Sequence, residues 1–231
     1  MKLFHRSVLL NRWNLVDRYP YRSMLFVLIS LLIPLTIISL LLKLVTRNIH
    51  VPLLERLFLG EPVLALIVAL LISFFGWRWS GFNGITRQEV KVCLGAMPLI
   101  IVSLLALPLV AGKASVSVIV IALVTALLAG FVEEGLFRGL MLRILLPKGI
   151  WHSIILTSLL FASAHLINLA HGFSWLYIVG QMMVGLGSGI LFATVRLRTG
   201  SVWPTVLLHA AYDVSGLILI GVDPQRINSL S

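Results

Sequence analysis

Long apolar runs dominate this chain and restrict the folds open to it. Several stretches reach the roughly 20 residues that an α-helix needs to cross the hydrocarbon core of a bilayer. Hydrophobic residues make up 59% of the 231 residues and charged residues only 11%, whereas soluble domains carry about 25% charged residues. The chain is therefore predicted to be all-α, a polytopic transmembrane helical bundle.

Polar residues, glycines and prolines divide the apolar residues into about seven spans, with eight as the alternative. The predicted spans lie near residues 24–44, 62–78, 91–111, 115–146, 151–169, 174–195 and 202–221. The segment from His50 to Leu59 is too short to cross a bilayer and carries Glu55 and Arg56 among leucines. It is predicted to be an interfacial helix.

Basic residues are distributed unequally between the two sides that these spans define. Of the 18 Lys and Arg residues, 12 fall in the N-terminal tail and the loops on its side, 5 fall on the other side, and Arg138 lies inside a span. The positive-inside rule then predicts a cytoplasmic N-terminal tail. The net charge of +10 comes from scattered loop residues rather than from a basic stripe, which argues against a nucleic-acid partner.

Two adjacent glutamates, Glu133 and Glu134, lie inside the fourth run and are followed by Arg138. Ionisable side chains at this depth are costly and are usually retained for a function. Glu134 and Arg138 are four residues apart, which favours an ion pair on one helix face. Glu133 points about 100° away from Glu134 and is free for another contact. The alternative interpretation is a structural charge cluster at the end of a span.

Two later spans each contribute a histidine. Phe161 precedes His165 by four residues, and Asp213 follows His209 by four. Glu133 and His165 are nearly equidistant from the turn between their helices, so antiparallel packing brings them level about 23 Å from that turn. His209 reaches this level only if the fourth and fifth spans project beyond the cytoplasmic surface, so the site is predicted to open toward the cytoplasm. Each histidine has the alternative role of bonding a neighbouring helix.

The three patterns, Glu-Glu-x-x-x-Arg, Phe-x-x-x-His and His-x-x-x-Asp on successive spans, resemble the motifs of the CPBP intramembrane protease family. That family includes the type II CAAX prenyl endopeptidases, and the resemblance covers about residues 115–221. It implies a catalytic core of four spans at 115–231, preceded by a tail and three spans at 1–114. The resemblance assigns catalytic roles to Glu133, His165, His209 and Asp213, and supporting roles to Glu134, Arg138 and Phe161.

Within that resemblance, Glu133 and His165 activate a water, and His209 with Asp213 stabilises the oxyanion. Eukaryotic members commonly carry Asn where this chain has Asp213, and an ionised carboxylate cannot donate a hydrogen bond to an oxyanion. Asp213 must then orient His209, carry a proton or bind a cation. Glu133, His165 and His209 would also form a zinc set, but the HExxH spacing of ordinary zinc proteases is missing. A mechanism that requires no cofactor is preferred, with zinc as the alternative.

The resulting hypothesis is a membrane-embedded endopeptidase that cleaves membrane-associated peptides or proteins. The short chain and basic tail favour a bacterial inner (cytoplasmic) membrane, where prenylated CAAX substrates are not expected. One alternative is a non-enzymatic bacteriocin-immunity or scaffold protein that retains the motif. A proton-coupled carrier is another, but carriers usually contain two corresponding halves with broken helices, and no such duplication is found in this sequence.

Overall fold

The computed structural model describes residues 15–45, 53–84, 91–92, 101, 112–171 and 173–222. Six helices in these ranges are long and apolar enough to cross a membrane, and no strand occurs in the described residues. They are α1 (Pro20–Val45), α2 (Leu53–Phe75), α3 (Val116–Lys148), α4 (Ile150–Ala164), α5 (Trp175–Thr199) and α6 (Trp203–Val222). The predicted all-α transmembrane bundle is confirmed, and the count of about seven spans is close. The predicted span at 91–111 lies outside the described residues, apart from 91, 92 and 101.

Helix α2 corrects the prediction of a separate interfacial helix at residues 50–59. From Leu53 onward these residues belong to α2, which continues through Pro62 to Phe75. A proline removes one backbone hydrogen bond, and membrane helices tolerate this loss because neighbouring groups satisfy the freed carbonyl. Glu61, which the prediction left outside any span, therefore lies inside a membrane-spanning helix.

Helix α3 changes its winding where the motif residues occur. It is α-helical over Val116–Glu134, π-helical over Gly135–Met141, and α-helical again over Leu142–Leu145 before a final turn. All seven residues of the π segment are buried. A Cβ added at Gly135 would lie 3.1 Å from Val68 Cγ1 of α2, so this wide segment packs tightly against its neighbour. π-helical segments are rare and are frequently found at functional sites.

The outer surface of the bundle is apolar, as expected for a protein surrounded by lipid. Large side chains such as Leu32, Leu66 and Leu70 are 51%, 60% and 61% exposed. Soluble monomers rarely expose contiguous apolar patches of this kind. Inside, α3 packs most extensively against α6 and α2, and α4 packs against α5. Six helices able to cross the membrane, together with this surface, make the chain an integral membrane protein.

The bundle has two ends that are distinguished by their turns. One end, which we call the turn end, contains the tight turns at Gly149 and Gly200, whose φ angles of 109° and 66° favour glycine. The loop after α2 lies here as well, because Asn83 Nδ2 donates to Gly200 O at 3.1 Å. At the opposite end Gly221 of α6 packs beside Leu54 and Val118. The N-termini of α2 and α3 therefore lie at the end opposite the turn end.

Close packing of α3 against α6 depends on Gly130. A Cβ added there would lie 2.8 Å from the backbone oxygen of Val206. We expect Gly130→Ala to force the two helices apart and to destabilise the protein by about 1–3 kcal/mol, which thermal unfolding in detergent measures. Gly187→Ala is the matched control, because Gly187 is exposed on α5 with no heavy atom within 4 Å of an added Cβ. Equal melting temperatures for the two variants would contradict this role of Gly130.

Candidate active site

A cavity of about 730 Å³ lies between α2, α3, α4, α5 and α6. It is lined by Phe161 and by all four residues to which the sequence assigned catalytic roles: Glu133, His165, His209 and Asp213. Residues from three different helices thus face one cavity, although each lies in a predominantly apolar segment. The three motifs that the sequence places on successive spans meet in space.

The ion pair expected from the four-residue spacing is present in the protein interior, next to His209 of the cavity lining. Arg138 Nη1 donates to Glu134 Oε1 at 2.9 Å, and the two side chains are only 1% and 0% exposed. The guanidinium carbon also lies 4.2 Å from the centroid of the Phe161 ring, a distance suited to a cation–π contact. Glu134 and Arg138 are therefore enclosed by protein, beyond the reach of a substrate.

His209 connects this ion pair to the cavity. Its Nδ1 lies 2.9 Å from Glu134 Oε1, the same oxygen that accepts from Arg138. Its Nε2 lies 3.2 Å from Asp213 Oδ2 and 3.8 Å from Glu133 Oε2. With these carboxylates ionised, both ring nitrogens are donors and the imidazole is cationic.

The two glutamates of the pair have different surroundings. Glu133 is 36% exposed, and Asp213 is 30% exposed, so both reach the open space of the cavity. Glu134 is fully buried. The winding of α3 directs one carboxylate toward the cavity and the next one into the protein, as the rotation of about 100° per residue requires.

His165 lines the same cavity from the end of α4. It is the first residue of a 3₁₀ turn, His165–His171, that follows α4. Its Nδ1 lies 3.1 Å from the Phe161 carbonyl oxygen, so Nδ1 donates and Nε2 remains an acceptor. Across the described residues no hydrogen bond or ion pair joins His165 to Glu133. Glu133 and His165, the predicted water-activating pair, therefore line the same cavity without a hydrogen bond to each other.

The cavity opens at the end opposite the turn end. Its outermost lining residues include Leu57 near the start of α2, Leu176 near the start of α5 and Ile220 near the end of α6. The N-terminus of α1 lies at the turn end, because Tyr21 OH is 3.1 Å from His152 Nε2 at the start of α4. A cytoplasmic tail and a cytoplasmic opening, both predicted from the sequence, are therefore mutually exclusive.

The cytoplasmic opening was predicted because the sequence does not show how deep in the bundle α6 begins. The prediction of a cytoplasmic opening required α3 and α4 to project beyond the membrane at the turn end. Instead, the loop after α2 covers the start of α6, with Val202 N donating to Gly81 O at 2.8 Å and Ser201 Oγ to Asn83 O at 2.7 Å. Ser201 and Val202 are completely buried. Helix α6 begins inside the bundle, which brings His209 level with Glu134.

One acidic residue at the cavity was not predicted from the sequence. Glu61 of α2 lines the cavity, and its Oε2 is buried without a hydrogen-bond partner in the described part of the chain. It lies close enough to Glu133, Asp213 and His209 for their charges to act on it. The available signal was an ionisable residue in a long apolar run, but starting the second span at residue 62 concealed it.

The placement of the side chains bears on the zinc alternative. Among the described residues no group of three or more His, Cys, Asp or Glu side chains is arranged to hold a metal ion. Carboxylates from this chain face both ring nitrogens of His209. Glu133, His165 and His209, as placed, do not fit a zinc ion.

Similarity to known proteins agrees with the three motifs. Residues 115–215 match the family described as type II CAAX prenyl endopeptidase Rce1-like. An "Uncharacterized 24.3 kDa protein" of Escherichia coli is 33% identical over 118 residues, covering 48% of this chain and 48% of the relative. The chain thus matches about half the length of this curated relative, and no solved structure matches it. The family that residues 115–215 match is thus the one that the motifs of the sequence resemble.

Proposed function

We propose that this protein is a membrane-embedded endopeptidase that hydrolyses peptide bonds in membrane-associated peptides or proteins. The observation that carries the proposal is the convergence of the three motifs on one cavity inside an otherwise apolar bundle. The match of residues 115–215 to a CAAX peptidase family supports the reaction class. Buried polar groups at membrane depth are expensive, and catalysis gives a physical reason for their convergence.

Glu133 is proposed as the general base. A water between Glu133 and His165 loses a proton to the Glu133 carboxylate, while His165 Nε2 accepts the second hydrogen bond of that water. The water oxygen attacks the carbonyl carbon of the substrate, and the carbonyl oxygen becomes an oxyanion. Glu133 then returns the proton to the amide nitrogen as the C–N bond breaks. The exposure of Glu133 to the cavity supports this role, because a base must reach the water it deprotonates.

His209 is proposed to stabilise the oxyanion through its Nε2–H group, whose single hydrogen is shared between Asp213 Oδ2 and the oxyanion. Donors that are already oriented toward developing charge lower the barrier most effectively. Of the three roles left open for Asp213, its 3.2 Å contact with His209 Nε2 supports orientation of the ring. Glu134 fixes the other ring nitrogen, and Arg138 fixes Glu134. The ion pair is thus a positioning element that acts through His209.

A bacterial cytoplasmic membrane is the proposed location. The basic residues near the N-terminus and the similarity to an Escherichia coli protein support it. The natural substrate is then a membrane-associated peptide or protein of the bacterium rather than a prenylated CAAX protein.

The test is a cleavage assay with purified protein in liposomes. Synthetic membrane-spanning peptides are incubated with wild type and with Glu133→Gln, each with and without a strong chelator, and products are identified by mass spectrometry. We expect cleavage by wild type alone, unaffected by the chelator. Loss of wild-type cleavage on chelation would overturn the metal-free mechanism. Equal product from both proteins would overturn the role of Glu133, and no cleavage by folded wild type across the peptide set would favour the immunity or scaffold alternative.

A further inference from the structure

Glu61 occupies a position in the fold for which the three motifs do not account. It lies on α2, outside residues 115–215 that match the family, and it takes no part in the steps proposed for peptide hydrolysis. It nevertheless lines the same cavity as Glu133 and His209. Leu57, four residues earlier on the same face of α2, lines the cavity as well. Helix α2 therefore forms one wall of the cavity and presents a carboxylate there.

The described residues compensate the Glu61 carboxylate poorly. Its Oε2 is buried and accepts no hydrogen bond from the described part of the chain. The charges of Glu133 and Asp213 act on it and repel an ionised carboxylate. The nearby imidazole of His209 is already held by Asp213 and Glu134. A buried carboxylate without a partner is costly in free energy, so Glu61 is placed to gain from a cationic donor supplied from outside the protein.

The cavity as a whole has an acidic lining. Three carboxylates line it, those of Glu61, Glu133 and Asp213, and its described lining residues include no Lys or Arg. His209, when cationic, compensates one of these three charges. The surrounding bundle is apolar, and charges interact more strongly in such surroundings than in water. A basic group of a bound peptide would therefore be stabilised in this cavity, whereas an acidic group would be destabilised.

We propose that Glu61 is a specificity-determining residue, which binds a Lys or Arg side chain of the substrate close to the bond that is cleaved. This inference rests on the proposed function for the reaction and adds the chemistry of the substrate to it. The ammonium or guanidinium group donates to the Glu61 carboxylate while Glu133 acts on the water. Basic side chains have long apolar stems that lie along apolar surface while the charged group reaches a polar site. A membrane-associated peptide can therefore present such a group to the cavity.

Matched peptides test this preference in the liposome cleavage assay. Otherwise identical membrane-spanning peptides carry lysine, norleucine or glutamate at one position, which is moved along the peptide, and kcat/KM is measured for each. At the best position we expect wild type to favour lysine over norleucine by about 10- to 100-fold, the usual strength of a hydrogen bond to a charged group, and to disfavour glutamate. In Glu61→Gln the ratio of lysine to norleucine should fall to within about twofold of unity, with cleavage of the norleucine peptides little changed. A merely structural role of Glu61 would instead lower the cleavage of all peptides equally.

Glu55→Gln is the control for this comparison, because it is the same substitution on the same helix at an exposed position outside the cavity. It should keep the lysine preference of wild type. If Glu61→Gln does not fold, Glu61→Leu gives the same reading, because leucine is favourable in a membrane helix. Wild-type protein that does not distinguish lysine from norleucine would overturn the inference. An unchanged lysine preference in the neutral variant, or an equal loss for all peptides, would also overturn it.

Binding measurements separate this inference from the proposed function. The same peptides, carrying a fluorophore, are titrated against Glu133→Gln and against the double variant Glu133→Gln with Glu61→Gln, so that no cleavage is needed. Tighter binding of a lysine peptide to the first protein than to the second, without cleavage by wild type, would keep the role of Glu61 and remove the peptidase proposal. Cleavage by wild type without a lysine preference in either rate or binding would do the opposite.

Discussion

Glu133→Gln is expected to lower the rate of peptide cleavage by about 100- to 10,000-fold, the usual contribution of a general base. Glutamine occupies nearly the same volume, but its neutral amide cannot take a proton from water. Glu133 is 36% exposed and its nearest ring nitrogen is 3.8 Å away, so the substitution removes no short buried hydrogen bond. The rate loss should therefore occur with little change in thermal stability, and the two measurements are made on the same preparation.

Glu55→Gln provides the matched control for this substitution. Glu55 is exposed on α2 near the same end of the bundle and does not line the cavity. Its loss removes one negative charge without touching the proposed chemistry, so cleavage should stay within about twofold of wild type, since exposed sites rarely matter by more than about 0.5 kcal/mol. Equal rate losses in both variants would point to a general effect of charge at this end, and retained activity in Glu133→Gln would exclude it as the base.

Arg138→Ala is expected to destabilise the protein by about 3–5 kcal/mol, because the buried charge of Glu134 loses its guanidinium partner and keeps only the contact with His209. Glu134 is fully buried, Arg138 donates to its Oε1, and its Oε2 has no hydrogen-bond partner in the described residues. The substitution also removes the guanidinium from the Phe161 ring and leaves a void there. Yield of folded protein in detergent, thermal unfolding and cleavage should all decrease.

A double variant separates the buried charge from the rest of the effect. In Glu134→Gln with Arg138→Met, neither charge remains and most of the buried volume is retained, so we expect folded yield to recover toward wild type. Cleavage should stay low, because Glu134 no longer holds Nδ1 of His209 as a charged acceptor. Arg198→Ala, at an exposed position of α5, controls for loss of a positive charge. Normal stability and activity of Arg138→Ala would contradict the role of the ion pair.

Local spacing made much of this site predictable. The apolar runs gave the helices, and pairs four residues apart identified the Glu134–Arg138 contact and the shared face of His209 and Asp213. These features depend only on the 3.6-residue period of a helix. The meeting of the three motifs in one cavity was predictable because short turns force successive helices to pack as antiparallel neighbours.

Features that depend on distant packing were not predictable. The depth of α6 is determined by a loop more than 100 residues earlier, through bonds such as that from Ser201 to Asn83. Because the sequence does not show this depth, the cavity was predicted to open on the side of the N-terminal tail, and this prediction was wrong. Glu61 was missed because a Glu-Pro pair was interpreted as the boundary of a span, whereas the neighbours of α2 support the helix across Pro62.

The π-helical segment Gly135–Met141 also determines how α3 responds to a change in chain length. A π turn contains more residues than an α turn, so the backbone would accept the loss of one residue here by returning to α-helical hydrogen bonding. Because the π turn holds the extra residue, that loss would leave Glu133 and Glu134 close to their present orientation, and it would remove the wide turn that packs against Val68 of α2. A single-codon deletion after Arg138 in this segment would therefore keep the motif residues aligned and would change only the fit of α3 against α2.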